Sequence, residues 1–403
     1  MSHFVVIGAG QAGASLVAKL RKDGFEGDIT LIGGETVPPY QRPPLSKAYL
    51  LGEMEKERLF LRPESFYADQ DITLRMGTWV NGIDAEAKTI QIGEEDIAYD
   101  QLALTTGSVP RRLPAAIGGD LEGVFVVRDL ADVDAMAPAV QPGARVLIVG
   151  GGYIGLEAAA VCAKLGLDVT LVEMADRILQ RVAAPETSDY FRALHTGHGV
   201  NILEGTGLDH LTGADGKVTS ATLTDGAELA VDFVVVGVGI EPATDLAELA
   251  GLDLDNGIKV DAQGRTSDAS IWAAGDCASF PHQGRRIRLE SVPNAIDQAE
   301  VVAQNMMGAA QDYSAQPWFW SDQYDVKLQI AGLNTGYDTV VTRAGEGATT
   351  SFWYYAGDQL LAVDAMNDPR AYMVAKRLID AGKTADKSVV ADASADLKPL
   401  LRA

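Results

Sequence analysis

Gly8, Gly10 and Gly13 stand at G-x-G-x-x-G spacing in FVVIGAGQAG (Phe4–Gly13). That spacing suits one kind of chemistry, the holding of a pyrophosphate by backbone N–H groups. The first glycine permits a tight turn, the second lets the backbone approach the phosphates, and the third lets a helix pack closely on the strand before it. Glu35 closes the next apolar run, DITLIGGE, about 20 residues further on, where a carboxylate accepts from ribose hydroxyls. The same set recurs with Gly150, Gly152 and Gly155 in VLIVGGGYIG, the helix LEAAAVCAKLG, and DVTLVE ending in Glu173. This is an internal duplication of a mononucleotide-binding unit, and it predicts two dinucleotides on one chain. Glu173 accepts from a free 2′-hydroxyl and repels a 2′-phosphate, which favours NADH over NADPH, although Arg177 and Arg181 lie close by in sequence.

The elements that must position these residues are legible around them. Phe4 to Ile7 reads as a buried parallel strand, followed by a helix over AGASLVAKLRKDG. Pro38, Pro39, Pro43 and Pro44 stiffen TVPPYQRPPLSKAYL, and a helix is expected from Leu45. The segment is either a rigid connector or a loop that carries Arg42 and Lys47 to a ligand with little entropy left to lose. DQLALTTGSVPR ends a strand on Thr105, Thr106 and Gly107 at a ligand edge, where the chain leaves its first domain; DFVVVGVGIEP, with Gly237, Gly239 and Pro242, mirrors that crossover. Ile271 to Ala274 forms a strand ending in Gly275–Asp276, whose acid can hold a polyol hydroxyl, and ESVPNAIDQAEVVAQNMM reads as a long helix. The N-terminus of that helix can stabilise negative charge on a reduced flavin. From about Pro317 the texture changes to antiparallel strands and a final helix, a separate α+β domain without chemistry of its own. Trp318, Phe319 and Trp320 read there as core or interface aromatics.

With 403 residues the chain can make two or three domains. A net charge of −23 speaks against nucleic acid or an anionic membrane surface as a partner. Val146 to Val172, the longest apolar stretch, is interrupted by glycines and by Glu157, Lys164 and Asp168, so it reads as a βαβ unit and not a membrane span. The first strand begins by Phe4, leaving no room for a signal peptide. Cys162 and Cys277 are the only cysteines; they make no disulfide framework and fit a reducing cytoplasm as small buried residues. No metal site is expected, and His195 and His198 read as helix-end polar residues.

These residues resemble the glutathione-reductase-like pyridine nucleotide–disulfide oxidoreductase superfamily, and more closely its NADH-dependent ferredoxin reductases. The most specific pieces are YQRPPLSK (Tyr40–Lys47), LIVGGGYIGLE (Leu147–Glu157), TSDASIWAAGD (Thr266–Asp276), ESVPNAIDQA (Glu290–Ala299) and WFWSDQY (Trp318–Tyr324). The resemblance implies an α/β fold with two Rossmann-like dinucleotide-binding domains and a C-terminal α+β domain. The FAD domain would span 1–108 and 242–317, the inserted NAD domain 109–241, and the C-terminal domain 318–403. FAD would lie on Gly8, Gly10, Gly13 and Glu35, with Arg42 and Lys47 at the pyrophosphate and flavin and Asp276 at the ribityl chain. NADH would lie on Gly150, Gly152, Gly155 and Glu173. Thr106, Gly107, Val292, Tyr153, Ile154, Arg181 and Gly239 complete the expected cofactor-binding set. Lys47, Glu157, Glu290 and Trp320 are the expected catalytic residues, at the place where the nicotinamide meets the flavin.

The superfamily's disulfide reductases need redox cysteines early in the chain, where this sequence reads VPPYQRPPLSK. Disulfide chemistry is thereby excluded, so electrons must leave by another route. The resemblance implies hydride delivery from NADH to FAD and single-electron transfer to a 2Fe–2S ferredoxin that serves a haem monooxygenase or a dioxygenase. Alternatives are a rubredoxin or monodehydroascorbate-type reductase on the same fold, or an NADH-sensing flavoprotein of the apoptosis-inducing-factor type. A monomer or weak dimer is expected. Because such ferredoxins are acidic, a local basic patch is needed, with Arg285, Arg286, Arg288, Arg370, Lys376, Arg377 and Lys383 as candidates. Replacing Glu173 with Ser or Arg should shift preference toward NADPH; equal use of both nucleotides by the unmodified enzyme, measured as kcat/KM, would overturn the reading of this acid.

Overall fold

The computed structural model describes residues 1–402. Contacts divide the chain into two compact units. The first comprises Met1–Gln41, Glu55–Val109 and Ile240–Pro317. Its centre is a five-stranded parallel sheet in the order Ile271–Ala273, Gln101–Leu104, His3–Ile7, Asp28–Ile32, Ile72–Arg75. A parallel sheet covered on both faces needs strands that are apolar throughout, and alternate residues here serve two different cores. Phe4, Val6, Leu31, Ala103 and Trp272 face the helices Gln11–Lys22 and Val292–Met306. Val5, Ile7, Leu102, Leu104 and Ile271 join Ile83 and Ile90 of a three-stranded antiparallel sheet. The two helices meet through small residues, among them Ala12, Ala295, Ala299 and Ala303.

The second unit comprises Arg42–Met54, Pro110–Gly239 and the chain from Trp318 onward. Its parallel sheet repeats the plan, in the order Asn201–Glu204, Asp168–Glu173, Arg145–Val149, Phe233–Val236, Val124–Phe125. One face carries the antiparallel strands Leu208–Ala214, Lys217–Leu223 and Glu228–Ala230 through Leu211, Val218, Ala221 and Leu223. The other carries the helices Tyr153–Lys164 and Pro185–Gly197. Beyond those helices lies a five-stranded antiparallel sheet built from residues 318–366. Its Val326, Leu328, Phe352, Tyr354 and Met366 share one continuous core with Ile148, Leu156, Phe191 and Phe233. The helix Pro369–Asp380 covers its outer face.

Two local expectations are corrected. The chain after Leu45 makes only one turn, Leu45–Tyr49, and leaves helical geometry at Lys47 (φ −133°, ψ −111°). His195 stands in the last turn of its helix, as expected, but it is fully buried, with Nε2 2.7 Å from Gln323 Oε1, whereas His198 ends the helix in solvent. A helix periodicity places His195 inward, but only the sheet of residues 318–366 supplies what it faces.

Burial holds His195 down at about 4. Its folded value lies below the ordinary one near 6.5, so the unfolded chain binds the proton more readily. The stability this contributes is therefore complete above about pH 6.5 and is lost as pH falls toward 4, on the order of 3 kcal/mol. His195→Gln should flatten that part of the acid limb in urea unfolding measured from pH 7 to pH 4.5.

Candidate functional site

In both units the three glycines perform three different tasks. Gly8 has φ +110°, and a Cβ there would lie 2.1 Å from the Thr105 carbonyl oxygen. Gly150 has φ +108°, with a Cβ position 2.4 Å from the Gly237 carbonyl oxygen. Only glycine satisfies both demands. At Gly10 and Gly152 an added Cβ would meet nothing within 4 Å. At Gly13 and Gly155 it would strike the Gly8 and Gly150 carbonyl oxygens at 2.0 and 2.1 Å. The first and third glycines thus close the loop onto the helix, and the second keeps open space above it. Both helices begin without a side-chain cap, leaving their first N–H groups for an anion.

The acids differ in what they already hold. Glu35 Oε2 accepts from Tyr40 Oη at 2.5 Å. Glu173 Oε2 accepts from the N–H of Gly151 (2.7 Å) and its Oε1 from that of Ala175 (2.8 Å), so this carboxylate also ties the glycine loop to the strand end. Arg177 turns inward, donating to Ser188 Oγ and the Ala183 carbonyl, whereas Arg181 is exposed. At the crossovers, Gly107 and Gly239 have positive φ (71° and 107°), and Thr106 Oγ1 donates to the Ala243 carbonyl. Asp276 follows Gly275 (φ +83°) and accepts from Ser108 Oγ at 2.9 Å. Val292 opens its helix beside Ser291, whose hydroxyl accepts from the Asn294 N–H. Tyr153 and Ile154 begin the helix after Gly152; Ile154 is exposed, while the Tyr153 ring lies 5.2 Å from that of Phe319 and its hydroxyl is buried without a partner.

The structure brings Lys47 and Glu157 together: Nζ lies 2.8 Å from Oε2, in a pair that is mostly buried. Ser46 Oγ donates to the same oxygen (3.1 Å) and Ser321 Oγ to Oε1 (2.7 Å). Neither serine was expected. Both come from segments remote from Glu157, and a lone serine carries no sequence signal. Arg42, on the same segment as Lys47, donates to the Arg128 carbonyl. Trp320 lies in Trp318–Gln323 on the face opposite Ser321, beside Trp318. Glu290 belongs to the first unit and pairs with Arg288 at 2.5 Å.

Other charges are committed locally. Arg286 faces Asp255, and Lys376 faces Asp380. Arg285, Arg370 and Arg377 project from the surface. Both cysteines are fully buried, and burial pushes the Cys162 thiol up to about 12. Among the described residues no helix is long and apolar enough to cross a membrane.

The sequence matches the pyridine nucleotide-disulphide oxidoreductase family over residues 2–299 and the family described as reductase C-terminal over residues 318–401. It is 42% identical over 398 residues to rhodocoxin reductase of Rhodococcus erythropolis, covering 98% of this chain and 93% of that protein. It is 44% identical over 384 residues to a ferredoxin–NAD(P)(+) reductase of a Sphingomonas species, covering 94% and 92%. A crystal structure of the covalent putidaredoxin reductase–putidaredoxin complex matches with a TM-score of 0.96 at 39% identity, over 100% of this chain and 98% of that chain.

The glycine geometry separates folding from ligand binding. Gly155→Val should cost about 3 kcal/mol or more, because backbone must move. Gly152→Val should leave Tm nearly unchanged and weaken NADH at least about tenfold, by filling the space where a pyrophosphate approaches. Thermal melts beside NADH titrations check both.

Proposed function

Because the chain belongs to the pyridine nucleotide-disulphide oxidoreductase family, we propose that it is an FAD-dependent NADH:ferredoxin reductase that passes electrons one at a time to a 2Fe–2S ferredoxin serving a monooxygenase or dioxygenase. The observation that carries this reading is the pair of matching glycine cradles on a chain whose two cysteines are both fully buried. Two dinucleotides with no accessible thiol suit a relay between carriers and not disulfide chemistry. The likeness, over the whole chain, to a reductase solved in covalent complex with putidaredoxin supports a ferredoxin as acceptor.

The residues of the first unit fit FAD. Gly10 leaves room for a pyrophosphate at an uncapped helix start, Glu35 is placed to accept from a ribose, and Asp276 stands at a strand end as an acceptor for a polyol. Thr106, Gly107 and Val292 lie at the same C-terminal edge of the parallel sheet, where open α/β sheets bind ligands. When bound, the flavin supplies the conversion of a two-electron donor into single-electron transfers. In the second unit, Gly150, Gly152 and Gly155 would hold the NADH pyrophosphate, and Glu173 would accept from its ribose. Arg177 is committed to Ser188, which leaves Arg181 as the nearby cation on offer to a 2′-phosphate. Against that cation stands the Glu173 carboxylate, which repels a 2′-phosphate and so favours NADH. Tyr153, Ile154 and Gly239 border the same cradle.

Lys47 is the cation we assign to hydride transfer, acting on the negative charge that develops on the cofactor, with Arg42 at the pyrophosphate. Glu157 holds Lys47 by its 2.8 Å ion pair. Glu290 and Trp320 are assigned to the same chemistry, Glu290 restrained by Arg288. Lys47→Ala should slow NADH-driven bleaching of the flavin in stopped flow by about tenfold or more, with a smaller effect on FAD retention. An unchanged rate would remove Lys47 from the mechanism. A panel of ferredoxins and rubredoxins, assayed through cytochrome c reduction with NADH, tests the acceptor: turnover with no ferredoxin overturns the assignment.

A further inference from the structure

A line of buried polar side chains leads away from the Lys47–Glu157 pair within the second unit. Ser321 Oγ donates to Glu157 Oε1 at 2.7 Å, and Gln323 Nε2 donates to Ser321 Oγ at 3.1 Å. Gln323 Oε1 lies 2.7 Å from His195 Nε2, and His195 Nδ1 lies 3.3 Å from Tyr324 Oη. The Tyr324 ring stacks on the exposed His198 at 3.7 Å. Ser321, Gln323 and His195 are at most 1% exposed.

The direction of this line follows from its ends. A carboxylate only accepts, so Ser321 must donate to it and take the Gln323 N–H on a lone pair. The Gln323 amide oxygen is then turned to His195, which must present N–H at Nε2 and accept from Tyr324 at Nδ1. A neutral imidazole has one donor and one acceptor, and burial keeps His195 neutral. Every donor therefore points toward Glu157. The line does not conduct protons, because the Gln323 amide would have to pass through an imidic acid. Nor is it the cheapest way to fill the space, since apolar side chains of similar volume would avoid burying three polar side chains. Its distinct effect falls on Oε1: with that oxygen held by Ser321, Oε2 is left to Ser46 and Lys47.

We infer that Ser321, Gln323 and His195 are positioning residues that fix the Glu157 carboxylate, and through it the Lys47 ammonium. The functional half of this inference rests on the assignment of Lys47 to hydride transfer. Besides Lys47 and Glu157, the titratable groups along the line are His195, Tyr324, His198, whose charge acts on His195, and Cys162, whose electrostatic influence reaches Tyr324.

The test uses holoprotein labelled with ¹³C-glutamate, taking the Glu157 carboxylate stretch as the infrared difference between parent and Glu157→Gln. Ser321→Ala should shift that band and slow NADH-driven flavin bleaching about tenfold, with little change in NADH Kd, since one hydrogen bond to a charged group is lost. Ser321→Thr, which keeps the hydroxyl, should restore both. Gln323→Met should move both in the same direction by less. An unshifted band in folded Ser321→Ala overturns the inference, as does a shifted band with a parental rate where Lys47→Ala is slow. If Lys47→Ala is itself as fast as the parent, the catalytic assignment falls while the infrared band still decides the positioning. Should Gln323→Met fail to fold, the Ser321 pair carries the test.

Discussion

The close approach of a helix N-terminus to the strand before it is the constraint on which the rest depends, and it occurs twice. Gly13 sits against the Gly8 carbonyl and Gly155 against the Gly150 carbonyl so tightly that no Cβ can be inserted. That contact aims each uncapped helix start at the space above Gly10 or Gly152. It also sets what must lie beside the loop. The Thr105 backbone closes over Gly8, and the Thr105 hydroxyl bonds the Gly8 carbonyl; the glycine-rich end of Phe233–Val236 does the corresponding work at Gly150. A nucleotide site of this kind is therefore carried by backbone, and side chains refine it.

The acids show that refinement. Glu173 is a ribose acceptor by position, yet its oxygens already hold two backbone N–H groups, so the group that would select the cofactor also shapes its cradle. Glu157 is held more completely, by a lysine and two serines, in a setting where a carboxylate lacking such donors would be costly. Both carboxylates, one half-buried and one buried, follow one rule: an anion drawn out of water persists where donors converge on it.

The helices and strands around the glycine motifs were legible because their signals are local. Phe4–Ile7 and Val146–Val149 are apolar without a break, as strands buried on both faces must be, and the spacing of the glycines names the turn that follows. Local signals failed at Lys47, where the proline-led turn breaks after a few residues, and at His195, whose hydrogen-bond partner comes from a sheet more than a hundred positions later in the chain. The C-terminal strands were readable as strands. Their sharing of a core with Phe191 and Leu156 was not, since an apolar face does not state what will cover it.

The sequence by itself determined the two cradles, their acids and the lack of a redox thiol pair, because each rests on residue type at short spacing. The resemblance already implied that Lys47 and Glu157 share a site; tertiary structure alone decided that they form an ion pair, that Ser46 and Ser321 complete the carboxylate's shell, and that Gln323 and His195 stand behind them. The physical reason is that hydrogen bonds between distant segments leave no periodicity or spacing to read: they exist only once packing has brought an acceptor-only group within about 3 Å of its donors.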